Sequence, residues 1–216
     1  MAERESDDHS VSSGGSGTAA GKLALRDQLL TARHRRSLAE VARAGAGLAE
    51  VVSQMPEVRH AGTVAAYVSV GGEPGTGLLL DALTGRGVRV LLPVVVRAER
   101  GRGLDLDWAV HHGPQSLAPA RYGLLEPVGP ALGRDAVATS DVVLVPGLAV
   151  SATGHRLGRG AGCYDRALGR VPVGTLTCCL LYDDELDRDV PVEDHDRPVR
   201  AAATPGGLTR FPGSAA

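Results

Sequence analysis

The chain has 216 residues, of which 43% are hydrophobic and 22% are charged, and its formal net charge is −2. This length suffices for one sizeable domain with its own core. The near-zero charge gives no global attraction for nucleic acid or an anionic membrane, so any anion site must be local. No apolar run reaches the length of about 18 residues that a membrane span needs, and residues 1–20 lack the apolar segment of a signal peptide. We therefore expect neither a membrane-spanning nor a secreted protein.

Cysteine and aromatic residues narrow the class further. The chain has three cysteines, and two of them are the neighbours Cys178 and Cys179, so a disulfide scaffold is excluded and a reducing cytoplasm is expected. One Trp, four Tyr and one Phe leave a core built from Val, Leu and Ala. So few aromatic rings argue against a base-stacking surface for nucleic acid.

The ends of the chain differ in composition from its body. Residues 1–20 are polar and rich in Gly and Ser, which predicts a disordered tail, and residues 212–216 predict a disordered C-terminus in the same way. Residues 21–211 are expected to form a single domain.

Two helices are predicted before the first strand. Leu25, Leu29 and Ala32 recur at helical spacing, and the Ser37–Glu40 segment has the capping-box pattern that begins a second helix. The apolar stripe of the second helix is expected to be Leu38, Val41, Leu48 and Val52. Together the two helices form an N-terminal helical hairpin.

Strands and helices then alternate along the chain. Strands are predicted over residues 63–69, 88–96, 104–110, 142–145, 173–181 and 199–203, and helices over residues 78–84 and 163–169. Pro93 indicates an edge or a bulge, and the acids of the 104–110 strand are expected to face outward. The loop 111–135 is rich in Pro and Gly and is expected to be the most mobile element. The alternation predicts an α/β fold, a three-layer arrangement of a mostly parallel sheet flanked by helices on both faces.

The glycine-rich segment 145–166 is the most informative part of the sequence. A buried strand ends at Pro146, and a helix opens near Gly162. Ligands of open α/β sheets bind beyond the carboxyl ends of the strands, where this loop would lie. Because Gly158, Gly160 and Gly162 alternate, bare backbone N–H groups and the start of the following helix could form an anion site.

Charged residues in this loop suit a phosphate ligand. Arg156 and Arg159 carry forked donors that match phosphate oxygens, and Asp165 could hold a magnesium ion that bridges phosphates. Neither the dinucleotide fingerprint nor the Walker A pattern is present. The alternative is a mobile loop with solvated arginines.

The run RLGRGAGCYDR, residues 156–166, follows LVPGLAV and resembles the signature of the 5-formyltetrahydrofolate cyclo-ligase family, also called methenyltetrahydrofolate synthetases. Other family-like pieces occur in the expected order and extend the likeness over residues 20–205. They are Lys22-x-x-Leu25-Arg26, Tyr67-Val68-Ser69 with Glu73 and Thr76, Gly123-Leu124-Leu125-Glu126-Pro127, and Glu193-Asp194-His195-Asp196.

This resemblance implies a cytoplasmic enzyme that uses ATP and Mg2+ to convert 5-formyltetrahydrofolate to 5,10-methenyltetrahydrofolate, with release of ADP and phosphate. Phosphorylation of the formyl oxygen would activate the formyl carbon for attack by N10 of the folate. The substrate could be polyglutamated, and a basic patch of Arg33, Arg35 and Arg36 could bind the glutamates. Neither nucleic acid nor membrane is expected as a partner, and the chain is expected to be a monomer or a weak dimer.

The resemblance also implies roles for individual residues, with Arg156 and Arg159 as the catalytic cations. The residues expected to bind ATP are Lys22, Arg26, Arg156, Leu157, Gly158, Arg159, Gly160, Ala161, Gly162, Cys163 and Tyr164. Those expected to bind the folate are Glu73, Trp108, Gly160, Gly162 and Cys163. Asp165 and Asp196 are expected to hold Mg2+.

Simpler interpretations stay open for several of these residues. Lys22 and Arg26 could lie on a solvated helix face, Glu73 could be a turn residue, Trp108 a core residue and Asp196 part of a charged surface turn.

The chain also departs from the family pattern at two positions. Cys163 replaces an aromatic residue, and Ala161 stands where some relatives have lysine. A non-catalytic folate- or nucleotide-binding module of the same fold is therefore the alternative function. An isomerase or acyltransferase on a related scaffold is a third.

Overall fold

The computed structural model describes residues 14–98, 103–193 and 195–212. Within these residues the helices are α1 (Gly14–His34), α2 (Leu38–Gln54), α3 (Pro56–His60), α4 (Gly77–Gly85) and α5 (Cys163–Leu168). The strands are β1 (Thr63–Ala65), β2 (Arg89–Arg97), β3 (Leu104–Val110), β4 (Leu117–Pro119), β5 (Leu125–Pro127), β6 (Val142–Pro146), β7 (Ala149–Val150), β8 (Arg156–Leu157), β9 (Leu176–Leu180), β10 (Ala201–Thr204) and β11 (Gly207–Arg210).

Seven of the described strands form one sheet in the order β11-β10-β9-β6-β1-β2-β3. The pairs from β10 to β2 are parallel, and β11 and β3 each add an antiparallel edge. The mostly parallel α/β fold is therefore confirmed. Parallel sheets need cover on both faces, and the central strands here are continuously apolar as that requires.

The side chains of the central strands alternate between two cores. Val142, Leu144 and Cys178 face a core that α2 and α4 cover, whereas Val143 and Cys179 face a second core that α5 and the turn 134–139 cover. This two-residue period places helices on both faces and confirms the three-layer arrangement.

The N-terminal hairpin forms as predicted, with two differences. Ser37 Oγ accepts a hydrogen bond from the Glu40 N–H at 3.3 Å, and a Glu40 oxygen accepts from the Ser37 N–H at 2.7 Å, which confirms the capping box. Leu38 does not join the buried stripe and is 90% exposed, because it lies in the first turn, ahead of the part of α2 that covers the sheet. Residues 14–20, expected to be disordered, belong to α1, and their alanines favour that continuation. Residues 1–13 lie outside the described residues, as do residues 213–216.

The first strand is shorter than predicted. Its ladder ends at Ala65, one further bond joins the Ala66 N–H to the Leu91 carbonyl, and a side chain then bonds the backbone of Tyr67 and Ser69. The hydroxyl of Thr76 accepts from the Ser69 N–H at 2.9 Å and donates to the Tyr67 carbonyl at 2.8 Å.

Pro93 lies where the sheet needs no N–H donor from this position. It pairs with Trp108 on the β3 side, while its nitrogen faces the side on which β1 has already ended. The expected outward position of the acids in β3 is wrong for Asp105, which is 3% exposed, because Arg170 bonds its carboxylate at 2.7 Å.

Other elements differ in extent. The 173–181 strand is confined to Leu176–Leu180, and the strand predicted over 199–203 is followed by β11, which the sequence did not indicate. The segment 111–135 contains the β4–β5 hairpin, in which Glu126 accepts a hydrogen bond from the Val95 N–H at 2.9 Å. Among the helices of the described residues, none combines the length and apolar composition that crossing a bilayer requires.

Gly147, directly after β6, gives a test of this packing. A Cβ there would lie 2.5 Å from Cys179 Sγ, so Gly147→Ala should lower the free energy of unfolding by about 1–3 kcal/mol, measured by urea denaturation. Gly77→Ala is the control, because no atom lies within 4 Å of its Cβ position, and its stability should be unchanged or higher. The Gly147 substitution should cost much less in a Cys179→Ala background; an equal cost in both backgrounds would contradict this packing.

Candidate active site

The glycine-rich loop lies at the carboxyl ends of the parallel strands. After β6, the chain forms the β7–β8 hairpin, and the loop then runs from Gly158 to α5. Gly160 and Gly162 have φ of +103° and +66°, values that side chains disfavour, so these two glycines are required by the backbone. Helix α5 has only six residues, so its own dipole adds little to the loop.

Arg156 is fixed at the base of this loop. Its side chain is 3% exposed, and Nη2 donates to Asp165 Oδ1 at 2.8 Å. The guanidinium carbon lies 5.9 Å from the centre of the Tyr164 ring, and Nε is buried with no partner among the described residues. A Cβ at residue 158 would lie 2.7 Å from Arg156 Nη1, so the glycine leaves room for the guanidinium group.

Arg159 connects the loop to the turn that follows β1. Its Nε lies 3.2 Å from Glu73 Oε1, and the arginine is 50% exposed whereas the carboxylate is 6% exposed. The other oxygen of Glu73 accepts from the Val70 N–H at 2.9 Å. The residues expected to bind phosphate and the residue expected to bind folate thus meet at one place.

Helix α1 covers the loop from the other side. Arg26 Nε donates to the Gly158 carbonyl at 2.8 Å, and Leu29 packs with Leu157. Lys22 is 5% exposed and its Nζ bonds Glu193 at 2.5 Å and Asp196 at 2.6 Å, so the solvated-face interpretation fails for this residue.

The ion pair at Lys22 holds both partners in their charged forms. Burial alone would lower the pKa of Lys22, but the hydrogen bonds to Asp196 and Glu193 raise it overall. Burial alone would raise the pKa of Asp196, but the hydrogen bonds from Lys22 and the Glu193 N–H lower it overall. The pair is therefore fully charged near neutral pH.

The carboxylates suit a hard cation such as Mg2+, which prefers oxygen ligands. Asp165 and Asp196 are each paired with a basic side chain, so any cation would share them with Arg156 and Lys22. Ligand atoms of Glu193, His195 and Asp196 lie within 4.8 Å of one another. Asp194 lies outside the described residues.

Known proteins resemble this chain in sequence and in fold. The profile of the 5-formyltetrahydrofolate cyclo-ligase family matches residues 18–205. The chain belongs to this family. A 5-formyltetrahydrofolate cyclo-ligase of Mycolicibacterium smegmatis is 42% identical over 185 residues, which cover 85% of this chain and 93% of the relative. The Escherichia coli cyclo-ligase is 35% identical over 158 residues, which cover 69% and 81% of the two chains.

A solved structure supports the same assignment. The NMR structure of 5,10-methenyltetrahydrofolate synthetase from Aquifex aeolicus matches with a TM-score of 0.74 at 26% identity, and the match covers 90% of this chain and 95% of that one. The resemblance drawn from the glycine-rich loop is therefore confirmed, and this cyclo-ligase family member is an enzyme.

Trp108 and Cys163, both expected to bind the folate, differ in their surroundings. Trp108 is fully buried in the core that α5 and the turn 134–139 cover, and its Nε1 has no hydrogen-bond partner among the described residues. This burial agrees with the core interpretation, because β3 presents Trp108 to the face that α5 covers, and folate binding by Trp108 stays a prediction.

Cys163 lies at the start of α5 but is not poised for covalent chemistry. Its Sγ is 3.4 Å from the Leu104 carbonyl, and burial raises the pKa of the thiol in spite of the nearby Arg166. A raised pKa leaves little thiolate near neutral pH, which opposes a nucleophilic role.

The basic patch expected for polyglutamate does not form. Arg33 is 2% exposed and pairs with Glu185 at 2.7 Å, and Arg36 pairs with Asp184 at 2.5 Å and stacks over Tyr182. Helix α1 turns Arg33 inward, so it cannot bind a polyanion at the surface.

Arg33 instead contacts the site, which sequence reasoning missed. Its Nη2 donates to the Gly147 carbonyl at 2.6 Å, at the start of the segment that leads to the loop. A signal existed: Lys22, Arg26, Leu29 and Arg33 recur at helical spacing, so they share one face of α1. Glu193, a partner of Lys22, was likewise not predicted to take part in the site.

The Lys22–Asp196 pair predicts how stability depends on pH. The folded state lowers the pKa of Asp196 below its ordinary 3.8, so the pair stabilises the fold above that pH and its contribution is lost as the pH falls. The stability advantage of the native chain over Asp196→Asn should be constant from about pH 5 to 8 and shrink below about pH 4, measured by urea denaturation.

An Asp184→Asn variant is the control for this measurement. Asp184 forms an ion pair with Arg36 but is 61% exposed, and exposed pairs contribute little to stability. An advantage over Asp196→Asn that persists unchanged at low pH would show that the ion pair is not its source.

Proposed function

We propose that this enzyme converts 5-formyltetrahydrofolate to 5,10-methenyltetrahydrofolate in an ATP-dependent reaction that releases ADP and phosphate. The observation that carries the proposal is the contact between Arg159 and Glu73. A phosphoryl group can reach a formyl oxygen only if the phosphate loop and the folate site adjoin, and this contact joins them. The names of the relatives support the same substrate and product.

The loop would bind the triphosphate through backbone and side-chain donors. Its bare amides from Gly158 to Gly162 offer N–H groups, and Arg156 and Arg159 offer forked guanidinium donors. Lys22 and Arg26 add positive charge from α1. Mg2+ held by Asp165 and Asp196 would neutralise phosphate charge, and this donor set of carboxylate oxygens fits it.

The reaction needs positioning and charge neutralisation more than a side-chain nucleophile. The γ-phosphoryl group would move from the terminal bridging oxygen of ATP to the formyl oxygen, which leaves ADP. N10 of the folate would then attack the activated carbon and lose its proton to solvent, and the C–O bond would break to release phosphate. Arg156 and Arg159 would stabilise the charge that develops on the transferring group.

Glu73 would orient the folate. Its carboxylate is nearly enclosed by protein and can accept hydrogen bonds from the N–H groups of a pterin. The reaction would take place in the cytoplasm, where the free thiols of Cys163, Cys178 and Cys179 remain reduced.

The methenyl absorbance band tests the function directly. The native chain mixed with ATP, Mg2+ and 5-formyltetrahydrofolate should develop the band, and Arg156→Ala should slow it by about 100-fold or more, since it removes a charge that stabilises the transferring phosphoryl group. Arg210→Ala should leave the rate unchanged, because Arg210 lies on β11 and pairs with Glu57 of α3.

Two results would contradict the proposal. Binding of both ligands by the native chain with no band would favour a non-catalytic binding module. An Arg156→Ala rate equal to the native rate would remove the loop from the mechanism.

The two proposed roles of Arg159 predict coupling between the ligands. Arg159 pairs with Glu73, and phosphates that attract Arg159 would free the carboxylate for the folate. A non-hydrolysable ATP analogue should therefore raise the affinity for 5-formyltetrahydrofolate by about 5- to 30-fold, measured by calorimetry.

Arg159→Ala should bind the folate equally with or without the nucleotide analogue. Arg89→Ala, an exposed arginine at the opposite, amino end of β2, should keep the coupling of the native chain. Coupling that survives in Arg159→Ala would show that this ion pair does not link the two sites.

A further inference from the structure

The Tyr67 hydroxyl is buried without a hydrogen-bond partner among the described residues. The residue is 3% exposed and packs in the core that α2 and α4 cover. Buried polar atoms are almost always paired, because an unpaired one costs folding free energy. A phenylalanine would fill the same space without that cost, so the stability of the fold does not explain why a hydroxyl is present.

Tyr67 lies at the edge of the sheet that holds the candidate site. Tyr67 lies two residues beyond the end of β1, at the carboxyl edge of the sheet where ligands of this architecture bind. Its backbone is held by the bond from Thr76 Oγ1 to its carbonyl. Burial, together with the nearby charge of Glu73, raises the pKa of Tyr67 well above its ordinary value. The hydroxyl therefore keeps its proton and can donate a hydrogen bond.

A second unpartnered donor belongs to Arg33, which packs beside the turn that contains Glu73. Arg33 Nη1 is buried without a partner among the described residues, although the other guanidinium nitrogens bond Glu185 and Gly147. The Arg33 side chain lies against Gly72, the residue before Glu73. A Cβ added at Gly72 would lie 3.1 Å from Arg33 Cβ. The surroundings of Glu73 thus combine one acceptor with donors that the protein itself does not use.

This combination matches one edge of a reduced pterin. The 2-amino-4-oxo edge presents two N–H groups beside a carbonyl oxygen, so a carboxylate next to a hydroxyl can satisfy it. We infer that Tyr67 determines specificity in the proposed reaction: its hydroxyl donates to the pterin carbonyl while Glu73 accepts from the adjacent N–H groups. The inference rests on the proposed function, and it requires Arg159 to leave Glu73 when the substrate binds.

Tyr67→Phe tests the inference because it removes only the hydroxyl. The unfolding free energy should be unchanged or higher, since an unpaired buried group is lost. The KM for 5-formyltetrahydrofolate should rise about 3- to 15-fold with the KM for ATP unchanged, and the Kd for 5-formyltetrahydrofolate from calorimetry without ATP should rise by the same factor. A merely structural tyrosine would not separate the two substrates in this way.

Ser140→Ala is the matched control. Ser140 Oγ is also buried and unpartnered among the described residues, but it precedes β6 at the opposite end of the sheet. This variant should likewise keep or gain stability, and both KM values should stay those of the native chain.

The outcomes separate this inference from the proposed function. If the native chain forms the methenyl product and Tyr67→Phe keeps its folate KM and Kd within twofold, the inference is wrong and the function stands. If Tyr67→Phe is destabilised and both KM values rise together, the hydroxyl is structural and the inference is also wrong. A native chain that forms no methenyl product overturns the proposed function and this inference with it.

Discussion

The site depends on the burial of cations along one face of α1. Lys22, Arg26 and Arg33 share that face, and a buried charge is costly unless it is paired. Their acceptors are Glu193 and Asp196 for Lys22, the Gly158 carbonyl for Arg26, and Glu185 with the Gly147 carbonyl for Arg33. Each acceptor lies in a segment outside the central strands. Docking of one helix therefore fixes the loop, the segment after β6 and the acidic turn near the C-terminus together.

The sheet supplies the other half of the arrangement. Its central strands are apolar on both faces, and β1 ends early, so polar groups gather at the carboxyl edge. Arg33 Nη1, Tyr67 Oη and Arg156 Nε are all buried there without partners among the described residues. An edge with unused donors beside a carboxylate is less stable than an apolar one, and it is suited to bind a polar ligand.

Features set by local spacing could be predicted from the sequence. The capping box at Ser37, the alternation of strands and helices, and the glycines of the loop all follow from neighbours a few residues apart. The family resemblance then placed Lys22, Glu73 and Asp196, which the fold brings beside the loop or its partners. Such features need no knowledge of distant contacts.

Features set by contacts between distant residues could not be predicted. Arg33 looked like part of a surface patch because its partner Glu185 lies 152 residues away. The complete burial of Trp108 could not be predicted, because α5, which covers β3, lies far along the chain. The unpartnered state of the Tyr67 hydroxyl is a property of packing, and no sequence pattern encodes it.

A crystal structure with Mg2+ and a non-hydrolysable ATP analogue would show whether the loop from Gly158 to Gly162, with Arg156 and Arg159, binds a triphosphate next to Glu73. We expect phosphate oxygens within hydrogen-bond distance of the loop amides and both guanidinium groups, with Arg159 moved off Glu73. A triphosphate bound elsewhere, with Arg159 still on Glu73, would contradict this expectation.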